Sequence, residues 1–393
     1  MCMRMYKYRL YPSYKQKERI INSLKNCKII YNELLALSID SWKFGQVSLN
    51  KFDYNKYLTG KHPRLHSQVR QNVSDRVSKA FQNFFRRIKD KSCKQKGFPR
   101  FKSRVNSITF PQSGFKLLSD KRLKLSKVGS IPIILHRIPR GKVKTLTIKI
   151  NKAGQWFAIF SCEVDIPQVK HPFVERVGID VGLENFATLS NGEVISNPRF
   201  LIKSEERLKI LNRKLSRKKK GSMNRRKARL LLARQHIKVA NQRSDFLHKL
   251  SRKLVDTYSI IAVENLNIKS MVKNHWLAKS ISDASWDSFI QMLDYKAVNG
   301  GGQLVRNPKT RGSSHRCSSC EEWVDMPLSK RTFKCPCGNV LHRDLNASIN
   351  HLKDTVGMDY AKPNACGDST STTESVASGI VEAGTTFQDS HTQ

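Results

Sequence analysis

The chain of 393 residues sets 72 Lys and Arg against 31 Asp and Glu, a formal net charge of +41 with a pI near 10.2. Self-repulsion on that scale disfavours a compact fold unless a polyanion neutralises it, so nucleic acid is the expected partner. A membrane surface fits less well, because the excess runs along most of the chain and no run approaches the roughly 18 apolar residues of a span. The first residues, MCMRMYKYRLYP, lack the apolar core and cleavage site of a secretory signal. Cys2, Cys27, Cys93, Cys162 and Cys366 are scattered without pairing, which suits a reducing cytoplasm.

Residues 4–12 alternate as a strand ended by Pro12, and Ser13 is placed to cap a helix over 13–43 with Ile20, Leu24, Cys27, Tyr31 and Leu34 at helical spacing. A second helix is predicted over about 66–90, its apolar stripe running from Val69 through Val77 to Phe81, Phe84 and Phe85, with Arg70, Lys79, Arg86 and Arg87 on one face. From Gly97 to Asp165 short alternating runs separated by Gly and Pro predict a small antiparallel barrel or sheet that resumes the first strand. A new domain opens at RVGIDVGLENFATLSNGEVI, read as two strands around a turn at Asn191-Gly192. Between Lys203 and Lys253 there are 19 Lys and Arg and three acids, and two leucine-striped segments broken near Gly221-Ser222 read as a basic helical hairpin. TYSIIAVENLNI is a buried strand, 286–298 a helix, and GGQLVRNP a short strand. After Lys362 the chain becomes rich in Ser, Thr, Gly and acid, the composition of a disordered tail.

Two features carry chemistry. Asp180 and Glu264 each end an apolar strand, where a carboxylate emerges at a sheet's edge, and Asp344 precedes the helical LNASINHL. Three such acids converging would repel one another unless cations lay among them, and Mg²⁺ accepts a sparse carboxylate set of this kind. Two such ions about 4 Å apart serve phosphodiester cleavage. Cys317 and Cys320, then Cys335 and Cys337, are two close pairs with the spacing of a zinc ribbon, and four ligands would make the zinc structural. The second pair is contracted to C-x-C, so the loop adapts or His315 or His342 replaces one thiolate.

Taken together, YKYRLYPSYKQ, KAFQNFFRRIK, GFPRFKS, SITFPQ, VGIDVGLENFATLSNG, SRKKKGSMNRRKAR, IIAVENLNIKSM, CSSC with CPCG, and HRDLNAS run in one collinear order over nearly the whole length. In these motifs the chain resembles the TnpB-type proteins of insertion sequences, RNA-guided nucleases related to type V CRISPR effectors. The resemblance implies an α+β and α/β multidomain fold. A helical recognition domain (13–96) would accompany a small β-barrel wedge (1–12 with 97–168). A RuvC-like, RNase H-like nuclease domain would follow over 174–310 and 342–356, with its basic hairpin at 203–254, a zinc ribbon inserted at 311–341 and the tail at 363–393. It implies metal-dependent DNA cutting by Asp180, Glu264 and Asp344 with two Mg²⁺ (Mn²⁺ being the alternative), and one Zn²⁺ on Cys317, Cys320, Cys335 and Cys337. The implied partners are a guide RNA and target DNA, with an element-encoded transposase as a partner at the genetic level only. The residues expected to meet nucleic acid are Gln71, whose amide can read adenine, Arg86, Arg87, Lys218, Lys219, Lys220, Arg225, Arg226 and Lys227. The sequence departs from the family at Glu321, where glycine is usual, and at the contracted pair. Two rival readings stay open: a nuclease-inactive nucleic-acid-binding protein, and a DNA transposase proper.

Overall fold

A computed structural model describes residues 2–355 apart from 91, 94, 120, 166–170, 172–174, 308–311 and 328. The tail expected at 363–393 lies outside the described residues. The chain divides into two compact units after Asp165. Among the described residues no helix is long and apolar enough to cross a membrane.

The first unit begins with strand β1 (Cys2–Leu10) and helix α1 (Tyr14–Gly45), which Ser13 and Gln16 cap reciprocally. Helices α2 (Lys51–Tyr57) and α3 (Ser67–Lys89) follow. Then come β2 (Ser107–Phe110), β3 (Phe115–Leu117), β4 (Arg122–Leu125), β5 (Gly129–Ile134), β6 (Lys142–Ile150) and β7 (Trp156–Val164). The seven strands pair antiparallel in the order β2-β6-β7-β1-β5-β4-β3 and curl into a nearly closed barrel. Along β7, Trp156, Ala158, Phe160 and Cys162 are buried at every second position, as a strand with one core-facing side requires. They share one core with Ile20, Leu24 and Leu34 of α1 and Val69, Val73 and Val77 of α3. The stripe predicted to continue through Phe84 and Phe85 is fully buried only as far as Val77: Phe81 still packs partly buried against this core, whereas Phe85 is exposed. Short α2 was not anticipated.

The second unit opens with three strands, β8 (Arg176–Val181), β9 (Asn185–Leu189) and β10 (Val194–Ser196). The turn at Asn191-Gly192 joins the second and third of them, so the expected two-stranded arrangement gains a strand. Helices α4 (Phe200–Ser216) and α5 (Met223–Thr257) form the basic hairpin, with Ser222 capping the second. Strand β11 (Ile260–Glu264), helices α6 (Ile268–Met271), α7 (His275–Ala284) and α8 (Trp286–Gly300), and strand β12 (Gln303–Asn307) come next. The small hairpin β13 (Thr332–Lys334) and β14 (Val340–His342) leads into helix α9 (Arg343–Thr355).

Among the described residues five strands lie in the order β10-β9-β8-β11-β12, with β8, β11 and β12 mutually parallel. Alternation divides the two faces. Val177, Ile179, Ile261 and Val263 enter a core with Leu247, Leu254, Phe289 and Leu293 of α5 and α8. Gly178, Asp180, Ala262 and Glu264 therefore share the other face, the side that receives α9. The helix comes so close that a Cβ on Gly178 would lie 1.9 Å from the carbonyl oxygen of Ser348. Gly178→Ala must push α9 away, because the obstacle is backbone and cannot rotate aside. It is expected to destabilise the second unit by on the order of 3 kcal/mol, read as an earlier transition in chemical denaturation.

Candidate metal centre and nucleic-acid surfaces

Parallel register delivers the acids. Val263 pairs with Ile179, so the next residues along the two strands, Glu264 and Asp180, sit side by side at the C-terminal edge. Glu264 in turn pairs with Asn307, the last residue of β12. Ligand-capable atoms of Asp180, Glu264 and His351 all lie within 4.8 Å of one another. Asp344, in the first turn of α9, stands outside that group. Its charge nevertheless raises the Asp180 carboxyl, which makes it a close neighbour. His351 was not among the expected residues. It lies seven positions, two helical turns, beyond Asp344 and so on the same helix face, but a lone histidine in an apolar stripe reads as core.

The electrostatics suit a cation. Burial is the main cause that raises the Asp180 carboxyl, with the Asp344 charge adding to it and His351 opposing it. Burial likewise raises Glu264, where the charge of Asp180 adds and His351 opposes. Two half-buried carboxyls, each raised by burial and by a neighbouring carboxylate charge, are the donor set a hard divalent ion relieves.

The cysteines form a separate cluster. Ligand atoms of Cys317, Cys320, Cys335 and Cys337 lie within 4.8 Å of one another, with Sγ–Sγ distances of 3.7 Å for Cys317–Cys337 and 3.5 Å for Cys320–Cys335. A tetrahedron of thiolates at Zn–S of about 2.3 Å has edges of about 3.8 Å, whereas a disulfide needs about 2.05 Å. The four sulfurs therefore fit one zinc ion, and neither histidine replaces a thiolate. His315 stacks on Trp323 with ring centroids 5.1 Å apart and accepts the Met326 N–H, while His342 lies 4.0 Å from Asp344. Burial pushes the Cys317 thiol up, but N–H donors from Cys320, Asn339 and Ser319 outweigh it and bring its pKa down to about 6, the thiolate a metal needs. The contracted pair is accommodated by backbone geometry. In each knuckle the residue after the second cysteine is left-handed, Gly338 at φ 89° and Glu321 at φ 66°.

Gln71 and Arg86 are exposed on α3, as are Lys218, Lys219, Lys220, Arg226 and Lys227 on the hairpin. Two expected contacts are otherwise engaged. Arg87 donates to the Gly97 carbonyl at 2.8 Å, and Arg225 donates to the carbonyls of Leu215 and Lys218, bracing the hairpin turn. Sequence reasoning overlooked the aromatic company of Arg86: Phe84 meets both Phe85 and Phe98, and Phe85, Phe98 and Phe101 are exposed, a surface on which bases can stack.

Residues 159–275 match the OrfB family of IS605 elements, described as "Probable transposase", and residues 286–351 match the "Cas12f1-like, TNB domain". Residues 1–46 match a family described as "Helix-turn-helix domain", although here they form β1 and the single helix α1. A Streptomyces pristinaespiralis protein named "Putative RNA-guided DNA endonuclease" is 32% identical over 93% of this chain and 91% of its own length. The chain belongs to the TnpB family. The Escherichia coli K12 relative "Putative RNA-guided DNA endonuclease InsQ" is 28% identical over 93% of this chain and 94% of its own. The fold of this TnpB-family chain is similar to that of a chain in a Cas12f1-sgRNA-target DNA complex, at TM-score 0.52 and 16% identity, covering 86% of this chain and 82% of that one.

Two outcomes are expected of these sites. A carboxyl with a raised folded pKa holds its proton more tightly in the folded than in the unfolded state. In the metal-free protein the stability these two carboxyls contribute is thus fully present below the ordinary carboxylate range and is lost as pH rises through their folded values. Asp180→Asn removes that loss, so near neutral pH in EDTA its Tm should exceed the parent's, while added Mg²⁺ should raise the Tm of the parent more than that of the variant. At the ribbon, Glu321→Gly relieves a left-handed side chain at a gain of about 0.5–1 kcal/mol. A chelator competition should show zinc held roughly two- to fivefold more tightly.

Proposed function

We propose that this chain is an RNA-guided DNA endonuclease with a RuvC-like, RNase H-like second unit, whose cutting centre is Asp180, Glu264 and Asp344. The observation that carries the reading is the placement of Asp180 beside Glu264 at the C-terminal edge of adjacent parallel strands, both carboxyls raised chiefly by burial, with the charge of Asp344 adding at Asp180 and that of Asp180 adding at Glu264. The names of the similar proteins support it. Asp180, Glu264 and Asp344 would hold two Mg²⁺, with Mn²⁺ as a substitute. When bound, such ions activate water and steady the leaving oxygen of a phosphodiester. The chain's own part is to hold two carboxylates at one sheet edge and to bring the third on α9. The four cysteines would hold one Zn²⁺ and give shape to the 313–342 insert without chemistry of their own. Lys218, Lys219, Lys220, Arg226 and Lys227 would track phosphates of guide RNA and heteroduplex. The surface of α3 around Gln71 and Arg86 would meet the target beside the paired region. Base pairing, not side chains, would read most of the sequence.

The test is cleavage of plasmid DNA by the protein purified with its co-expressed RNA. Cutting should require both the matching target and Mg²⁺. Asp180→Ala should lower the rate on the order of a thousandfold, as removal of a group acting on the transition state does. Binding without cutting by the unaltered protein would establish the nuclease-inactive reading instead. Cutting that survives in Asp180→Ala would remove this site assignment.

A further inference from the structure

His351 has no part in the reading above, yet it is fully buried (0% exposed) and aimed at Asp180. Its Nε2 lies 3.7 Å from Asp180 Oδ1 and has no hydrogen-bond partner, a costly position for a buried ring nitrogen.

The other ring nitrogen decides what Nε2 can be. The side-chain nitrogen of Asn307 is 3.1 Å from His351 Nδ1 and 3.0 Å from Asp354 Oδ2. A carboxylate only accepts, so the amide turns its NH₂ and not its oxygen toward Asp354. The second hydrogen of that NH₂ then points at Nδ1, which must accept it. A neutral imidazole that accepts at Nδ1 carries its hydrogen on Nε2. Asp354 is fixed in its turn by Arg316, whose guanidinium stands 2.5 Å away with the two side chains 15% and 3% exposed. Arg316 and Asn307 thus both donate to Asp354, Asn307 donates to His351 Nδ1, and the Nε2–H is left facing Asp180 Oδ1.

We infer that His351 is a hydrogen-bond donor that orients Asp180, not a ligand for the metal, and that Arg316, Asp354 and Asn307 hold it in that state. This rests on the reading of Asp180 as a metal ligand. With a hydrogen on Nε2 the ring has no lone pair there for a cation, so the centre presents carboxylate oxygens alone and favours Mg²⁺ over softer ions. The relay starts at the ribbon. Arg316 immediately precedes Cys317, and its carbonyl accepts from Asn346 at 2.8 Å and Asn350 at 2.6 Å. The first knuckle and the carboxylate centre therefore stand on one line of polar contacts, and His351 is a positioning residue tied to both.

The experiment is ring-nitrogen NMR on the full-length, metal-free protein with labelled histidine, His351 being assigned by its loss in His351→Gln. The expected signature is hydrogen on Nε2 and a bare Nδ1. Asn307→Asp puts an acceptor opposite Nδ1, which should move the hydrogen to Nδ1 and free Nε2 to bind metal. Calorimetric titrations should then show the affinity for Mn²⁺ relative to Mg²⁺ rising about 10- to 100-fold over the parent, the scale of effects from outer-shell partners. His351→Gln keeps an N–H donor and should retain most Mg²⁺-dependent cleavage, whereas His351→Glu, isosteric with that Gln but without the donor, should not. Hydrogen on Nδ1 in the parent, or an unchanged metal preference in a folded Asn307→Asp variant, overturns the inference. No Mg²⁺ binding by the parent overturns the metal reading, and with it the orienting role, in a measurement separate from the ring spectrum.

Discussion

The proposed centre depends on one backbone contact, the seat of α9 against β8 at Gly178. Two parallel strands can place Asp180 and Glu264 side by side, because neighbours in register emerge at the same edge. They cannot supply the third acid, which belongs to a helix more than 160 residues later. A helix normally rides on a sheet at a distance set by side chains on both. Here Gly178 and Ala262 strip the sheet of bulk where α9 crosses, and the helix sinks until Ser348 meets the strand. Asp344 and His351, on that same helix face, are carried into the neighbourhood of Asp180 as a result.

The second dependence is on polar contacts where apolar ones would be usual. Among the described residues the ribbon's own core is four buried side chains, Cys317, Met326, Phe333 and Cys335, with Val324 against them. So small a core cannot fold a segment on its own. Cross-linking by a metal and docking on α9 supply what burial does not. Asn346 accepts from the Ser318 N–H and donates to the Arg316 carbonyl, and Asn350 donates to the Ser313 and Arg316 carbonyls. Each is fully or nearly fully buried, so leaving one of these carbonyls unmatched would be expensive. The ribbon's position and the helix's position are thereby a single structural fact.

Much of this was legible in the sequence because the signals were local. An apolar run that stops at an acid marks the edge of a buried strand, and both VGID and IIAVE form such strands. The leucine stripes and the Gly221-Ser222 break anticipated the hairpin, and Ser13 caps its helix as its position suggested. Short elements with weak periodicity, α2 and α7, were not seen, nor was the division of β8 from β9. His351 was missed for a different reason. Its meaning comes from Asn307 and Asp354, and from the register of β11 with β12, none of which leaves a trace in the neighbouring residues. Arg87 and Arg225 show the converse, since composition offers them to phosphate while local carbonyls already hold them.

The lateness of α9 in the chain has a consequence for synthesis. Emerging from the ribosome, the first unit can take shape first, because it closes at Asp165, and α4 and α5 can pair with each other before α8 has been made. Strand β8 waits, its glycine face uncovered, until residue 343 and beyond have been translated. A nascent or prematurely terminated product therefore carries the cationic surfaces without a finished carboxylate centre. Completion of that centre is a built-in clock: the chain acquires its cationic surfaces first and the proposed centre last.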